Sequence, residues 1–144
     1  FRNPVLGPAL VQGLNVFVNE VLPLGVVHRR RLLWKPMQAY RAPFKTWSDL
    51  APVLAFPCEI PMGPHDRAYD RMKKTDEGLR NLDHPTLILW GRRDPVFPAR
   101  VIRKFRDRLD NVVDELVFED ASHFLQEDRP QAIAEKINNF META

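Results

Sequence analysis

The chain has 144 residues, 44% of them hydrophobic and 28% charged, with a formal net charge of +2. Leu, Val, Ile and Phe are frequent enough to exclude general disorder, and no apolar run approaches the roughly 20 residues that a membrane crossing needs. The single cysteine, Cys58, excludes an internal disulfide and points to a reducing, cytoplasmic setting.

The chain opens at Phe1 and runs straight into Arg-Asn-Pro-Val-Leu-Gly-Pro, as expected of a segment cut from a longer protein. Residues 1–80 read as Pro-rich, with helical pieces between breaks. Spacing predicts a helix over 8–19 with Leu10, Leu14, Phe17 and Val18 on its apolar face, interrupted by Pro23. His28 and Arg29, Arg30 and Arg31 make the only dense basic run. With no aromatic residues interleaved, it reads as a solvated helix face or cap edge and not as a nucleic-acid patch. A second helical piece is expected over 32–41, carrying Leu33, Met37 and Tyr40 on one side. Five prolines between Pro43 and Pro64 predict extended chain wrapping over a surface. Cys58 lies in that stretch with no adjacent His, so it reads as a packing residue. A further helix is expected over 66–82.

Residues 81–144 change to a strand, helix, strand, helix rhythm. The apolar run Thr86–Trp90 suits a strand covered on both faces, and Val112–Phe118 is the second strand candidate. Between them, Val101, Ile102, Phe105 and Leu109 recur at helical spacing within 98–109. Pro130 suits the first turn of a last helix, with Glu127 and Asp128 complementing its N-terminal dipole and Ala132, Ile133, Ile137 and Phe140 as its buried stripe. Such alternation implies a parallel sheet with helices on its faces, and catalytic groups in the loops beyond the strands' carboxyl ends. Two strands alone cannot bury a sheet face, so the reading requires the edge of a larger sheet.

Asp94, in Gly91-Arg92-Arg93-Asp94-Pro95, and His123, in Ala121-Ser122-His123-Phe124, occupy those loop positions. A loop His acts as general base when a carboxylate on its other ring nitrogen fixes its tautomer and stabilises its charged form. The competing reading is that Asp94 caps the turn over Pro95–Pro98 and His123 is polar loop chain. No Gly-x-Ser-x-Gly turn, nor an Asp equivalent, occurs in the sequence, so the attacking residue is expected upstream. His28, His65 and His84 show no metal-ligand spacing, and the six glycines form no phosphate loop, so neither a metal nor a cofactor is expected.

The string Gly91-Arg92-Arg93-Asp94-Pro95-Val96-Phe97-Pro98 and the string Ala121-Ser122-His123-Phe124-Leu125-Gln126-Glu127-Asp128-Arg129-Pro130 resemble the last two catalytic loops of α/β-hydrolases. Four stretches of the first half, Gln12–Val18, Val21–Val27, Tyr40–Phe44 and Phe56–Pro61, are similar in order and spacing to the helical cap of haloalkane dehalogenases, a cap grammar shared by coelenterazine luciferases. The resemblance implies the C-terminal part of an α/β-hydrolase fold: a cap segment and return to the core over 1–80, then the last two β-α units of the parallel sheet over 81–144. It also implies hydrolysis of carbon–halide bonds without a cofactor, with a small apolar halogenated substrate and water as partners. An Asp absent from these residues would form an alkyl ester, and His123, oriented by Asp94, would activate water against it. By motif position Phe17, Val21, Leu24, Val96, Phe97 and Phe124 would line the apolar pocket, although each could equally be core. Trp34 and Trp47 do not match the expected cap Trp, and Trp90 reads as structural. Asp94 itself favours the subgroups with a late triad Asp.

An epoxide hydrolase would use the same logic but needs two cap Tyr hydroxyls, and Tyr40 belongs to the dehalogenase-like Tyr-Arg-Ala-Pro-Phe string. A Ser esterase could use Asp94 and His123 equally well, with the cap resemblance against it. The isolated 144 residues are expected to be inactive. A non-catalytic role as a partner-binding truncation is disfavoured, because a free sheet edge invites aggregation.

Overall fold

The computed structural model describes residues 2–143. The chain divides into two compact units. One comprises the chain up to Leu24 together with Leu32–Thr75; the other comprises Gly25–Arg31 and the chain from Asp76 onward.

In the first unit the Asn3 side chain accepts hydrogen bonds from the Val5 and Leu6 amides, at 3.0 Å each, and starts a helical run. An α-turn, Leu6–Pro8, widens into the π-helical stretch Ala9–Gly13; a second π-helical stretch, Phe17–Val21, tightens into the α-turn Leu22–Leu24. The single helix expected over 8–19 is therefore two stretches, separated at Asn15, whose φ is 49°. Asn tolerates this left-handed conformation better than most residues. The break and the wider i→i+5 turns change the buried face to Val11, Val18 and Leu22, while Leu10 and Leu14 are exposed. Pro23 does not interrupt the run; it sits inside the terminal turn.

After a 3₁₀ turn at Arg29–Leu32, helix α1 (Lys35–Arg41) starts later than expected because Trp34 takes a φ of 66°. Met37 is buried, but Leu33 lies outside the helix and is exposed. The five-proline stretch is not extended chain. A 3₁₀ turn, Ser48–Leu50, leads into helix α2 (Ala51–Cys58). Pro52 falls in the first turn, where a missing N–H costs nothing, and Pro57 falls near the end, where one bond is lost. The Asp49 carboxylate braces the entry by accepting from the Lys45 and Thr46 amides at 3.1 and 2.8 Å. Helix α3 spans Tyr69–Leu79, within the expected range.

In the second unit β1 (Thr86–Gly91) and β2 (Val112–Phe118) run parallel, in a register from Leu87 opposite Asp114 to Gly91 opposite Phe118. Parallel neighbours need a crossover, supplied here through helix α4 (Arg100–Arg106). Beyond β2 come the one-turn helix α5 (Leu125–Asp128) and helix α6 (Pro130–Thr143). Ile88, Ile102, Leu109 and Ala121 form the buried core. Burying the first three contributes on the order of 1.5–3 kcal/mol each. Ion pairs such as Arg106–Glu115 and Arg92–Glu119 lie at the surface, where solvent screening leaves them little to add. Among the described residues, two expected coverings are incomplete. Only Ile88 and Gly91 of β1 are buried, one on each face, and the other four residues of the strand are half-buried. No residue of α6 is buried, and Ile137 of its expected stripe is 42% exposed.

Candidate active site

The site is built where β1 and β2 end side by side. At Gly91 a Cβ would lie 2.3 Å from the Ser122 carbonyl oxygen and 2.7 Å from that of Ala121. Glycine alone permits that approach, because both obstacles are backbone. The two loops are then laced together. The Arg92 amide donates to the Phe118 carbonyl and the Arg93 amide to the Ala121 carbonyl, both at 2.9 Å. Asp94 and His123 are thereby brought within reach of each other, each one loop beyond its strand.

Asp94 is 9% exposed and divides its carboxylate. Oδ1 accepts from the Val96 and Phe97 amides at 2.7 and 2.8 Å, closing the turn. Oδ2 faces His123 Nδ1 at 3.0 Å. One oxygen therefore closes the turn while the other meets the imidazole. An ionised carboxylate only accepts, so with Asp94 ionised the contact requires the imidazole proton on Nδ1. Phe97 and Phe124 confine the His123 ring, with centroids 5.5 and 5.0 Å away, the second edge-on. Trp90 holds the loop to the strand, its indole N–H donating to the Phe97 carbonyl at 2.8 Å.

Of the six apolar residues assigned to a pocket, Phe97 and Phe124 touch His123, and Val96 contributes its amide to the Asp94 turn. Val96 and Phe97 are about half exposed, at 54% and 49%. Phe17, Val21 and Leu24 belong to the first unit; the first two are half-buried and Leu24 is exposed.

Sequence reasoning assigned Asp128 to the dipole of the last helix, and the structure gives it a different position. It is fully buried at the end of α5. Its carboxylate accepts from the amides of Val27, His28 and Ser122 at 3.1, 2.8 and 2.9 Å, and meets His28 Nδ1 at 3.1 Å. Burial pushes this carboxyl up, but the amide donations from His28, Ser122 and Val27, with the His28 side chain, outweigh it and hold the group below its ordinary value. The Arg31 guanidinium donates to the Asp128 carbonyl. His28, set apart from the constellation in the sequence, thus completes a second His–carboxylate pair. Its partner lies 100 residues away, so no local pattern announces it. Gly25 was also missed: its carbonyl accepts from the Phe124 amide at 2.9 Å, and a Cβ there would lie 2.7 Å from the Phe124 ring.

Among the described residues no group of three or more His, Cys, Asp or Glu is placed to hold a metal ion, and no helix is long and apolar enough to cross a membrane.

The sequence profile of the α/β hydrolase fold matches residues 37–130. A cis-3-alkyl-4-alkyloxetan-2-one decarboxylase of Shewanella oneidensis is 34% identical over 143 residues, which is 97% of this chain and 44% of that protein. A haloalkane dehalogenase of Bradyrhizobium diazoefficiens is 33% identical over 139 residues, covering 95% of this chain and 44% of the relative. The crystal structure of a loop variant of haloalkane dehalogenase DbeA from Bradyrhizobium elkanii superposes with a TM-score of 0.86 at 27% identity, over 98% of this chain and 46% of that one. The chain therefore spans less than half the length of these relatives.

Proposed function

Because the chain belongs to the α/β-hydrolase fold family, we propose that His123 and Asp94 are the base pair of a two-step hydrolase acting on carbon–halide bonds. The observation that carries this reading is the 3.0 Å contact between His123 Nδ1 and Asp94 Oδ2. In the first step an Asp carboxylate, supplied by residues outside these 144, attacks the halogen-bearing carbon, and the halide departs with the bonding electrons. In the second step His123 Nε2 takes a proton from water as the water oxygen attacks the ester carbonyl. Asp94 stabilises the imidazolium, the alcohol leaves, and the carboxylate is regenerated. Val96, Phe97 and Phe124, which stand at the Asp94 turn and the His123 ring, are assigned to contact the alkyl chain. Residues 1–80 form cap and return, residues 81–144 form the end of the core, and the enzyme works in the cytoplasm.

A second reading, decarboxylation of an oxetan-2-one, is favoured by the Shewanella relative, whose 34% identity does not separate it from the 33% of the Bradyrhizobium dehalogenase. The test assays the full-length protein carrying this sequence for bromide release from 1-bromobutane and for carbon dioxide release from a cis-3,4-dialkyl oxetan-2-one. Halide release with a His123→Ala variant arrested at one equivalent, bearing a covalent alkyl adduct visible by mass, supports the dehalogenase. Carbon dioxide release alone transfers the assignment to the lactone. Undiminished turnover of His123→Ala on either substrate overturns the base assignment.

A further inference from the structure

Building on the reading of His123 as the base, we infer that Asp128 is a positioning residue, which fixes the His123 loop by bracing it against the strap Gly25–Arg31.

The backbone on both sides of His123 is committed. The Ser122 amide donates to Asp128 Oδ2 at 2.9 Å, and the Phe124 amide donates to the Gly25 carbonyl at 2.9 Å. Both restraints end on the same short strap, because the carboxylate that receives Ser122 also receives the Val27 and His28 amides. On the other side the Ser122 hydroxyl donates to the carbonyl of Arg93, the residue before Asp94, at 3.1 Å. His123 is therefore bracketed between its own partner's loop and the strap. Asp128 is fully buried, so water does not compete for these donors.

The chemistry requires a carboxylate at this position. Amides converge on it from three directions, together with the His28 ring, and two acceptor oxygens meet them all. An Asn would offer one acceptor oxygen and turn its NH₂ group toward N–H donors. Catalytic groups need support to within about 0.5 Å, and a misplacement of about 1 Å can cost about 100-fold in rate. Asp128 touches neither substrate nor the reacting nitrogen; it acts through the Ser122 backbone.

The test uses the full-length protein carrying this sequence, uniformly labelled with ¹⁵N. Ring-nitrogen shifts report the His123 tautomer, and exchange of its Nδ1 proton reports how firmly Asp94 is engaged. The expected result for Asp128→Asn is a folded chain in which exchange of that proton rises at least 10-fold and the Ser122 and Phe124 amides lose protection. A folded Asp128→Asn chain with an unchanged His123 signature overturns the inference. If that variant does not fold, Gly25→Ala, which crowds the same bracket from the Phe124 side, is read by the same criteria. An unmodified chain lacking the Nδ1–H tautomer would instead sink the base-pair reading itself, before any variant is compared.

Discussion

Asp94 meets His123 Nδ1 with one oxygen, at 3.0 Å, while its other oxygen closes the turn that carries it. Asp94→Asn separates these duties. The Asn carbonyl can still cap Val96 and Phe97, but its NH₂ group then faces Nδ1 and favours the tautomer with the proton on Nε2. In the full-length enzyme kcat is expected to fall by about 10⁴-fold, with a stability loss of about 1 kcal/mol or less. Steady-state kinetics beside thermal unfolding check this; a proportionate loss of both would mean that the carboxylate is structural.

Residues 1–144 contain no Gly-x-Ser-x-Gly turn, and the purified chain is expected to release no halide from a bromoalkane. A halide electrode is sufficient for the measurement. Sustained turnover would show that the nucleophile lies within these residues.

Gly91 and Gly78 predict opposite responses to alanine. A Cβ at Gly91 collides with the Ser122 and Ala121 backbones, whereas a Cβ at Gly78, inside α3, meets nothing within 4 Å. Gly91→Ala should cost about 2–3 kcal/mol, and Gly78→Ala should gain about 0.5–1 kcal/mol from helix propensity. Urea midpoints at constant m-value would decide it, and a neutral Gly91→Ala would contradict the close approach of the two loops.

The Asp128 carboxyl lies below its ordinary value near 3.8 in the folded chain, because amide donation outweighs burial. Its ionised form therefore stabilises the fold above that pH, and the contribution is lost as pH falls through the folded value. Asp128→Asn is expected to cost about 3 kcal/mol at neutral pH. The gap in melting temperature between the two proteins should narrow below about pH 4. A gap that stayed constant down to pH 3 would contradict the depressed carboxyl.

The strands and the Asp94–His123 pair were legible because their signals are local. Val112–Phe118 carries three valines, a leucine and a phenylalanine around Asp114 and Glu115, and the Asp94 and His123 loops each follow their strand directly. The first unit was less legible where backbone geometry departs from a regular helix. Positive φ at Asn15 and Trp34 moved the buried faces, and Pro52 and Pro57 proved compatible with α2 by falling near its ends. Asp128 could not be read at all. Next to Pro130 an acidic residue suits a helix dipole equally well, and the donors that define its real position come from the other end of the sequence.

That separation orders the birth of the protein. His28 leaves the ribosome 100 residues before the carboxylate that receives its amide, and the strap that contains it is embedded between stretches of the first unit. The strap must therefore stay unpaired while the next 100 residues are made, and the second unit can close only once the C-terminal helices emerge. A nascent chain stalled before Asp128 would hold both Asp94 and His123 with nothing yet to bind its strap.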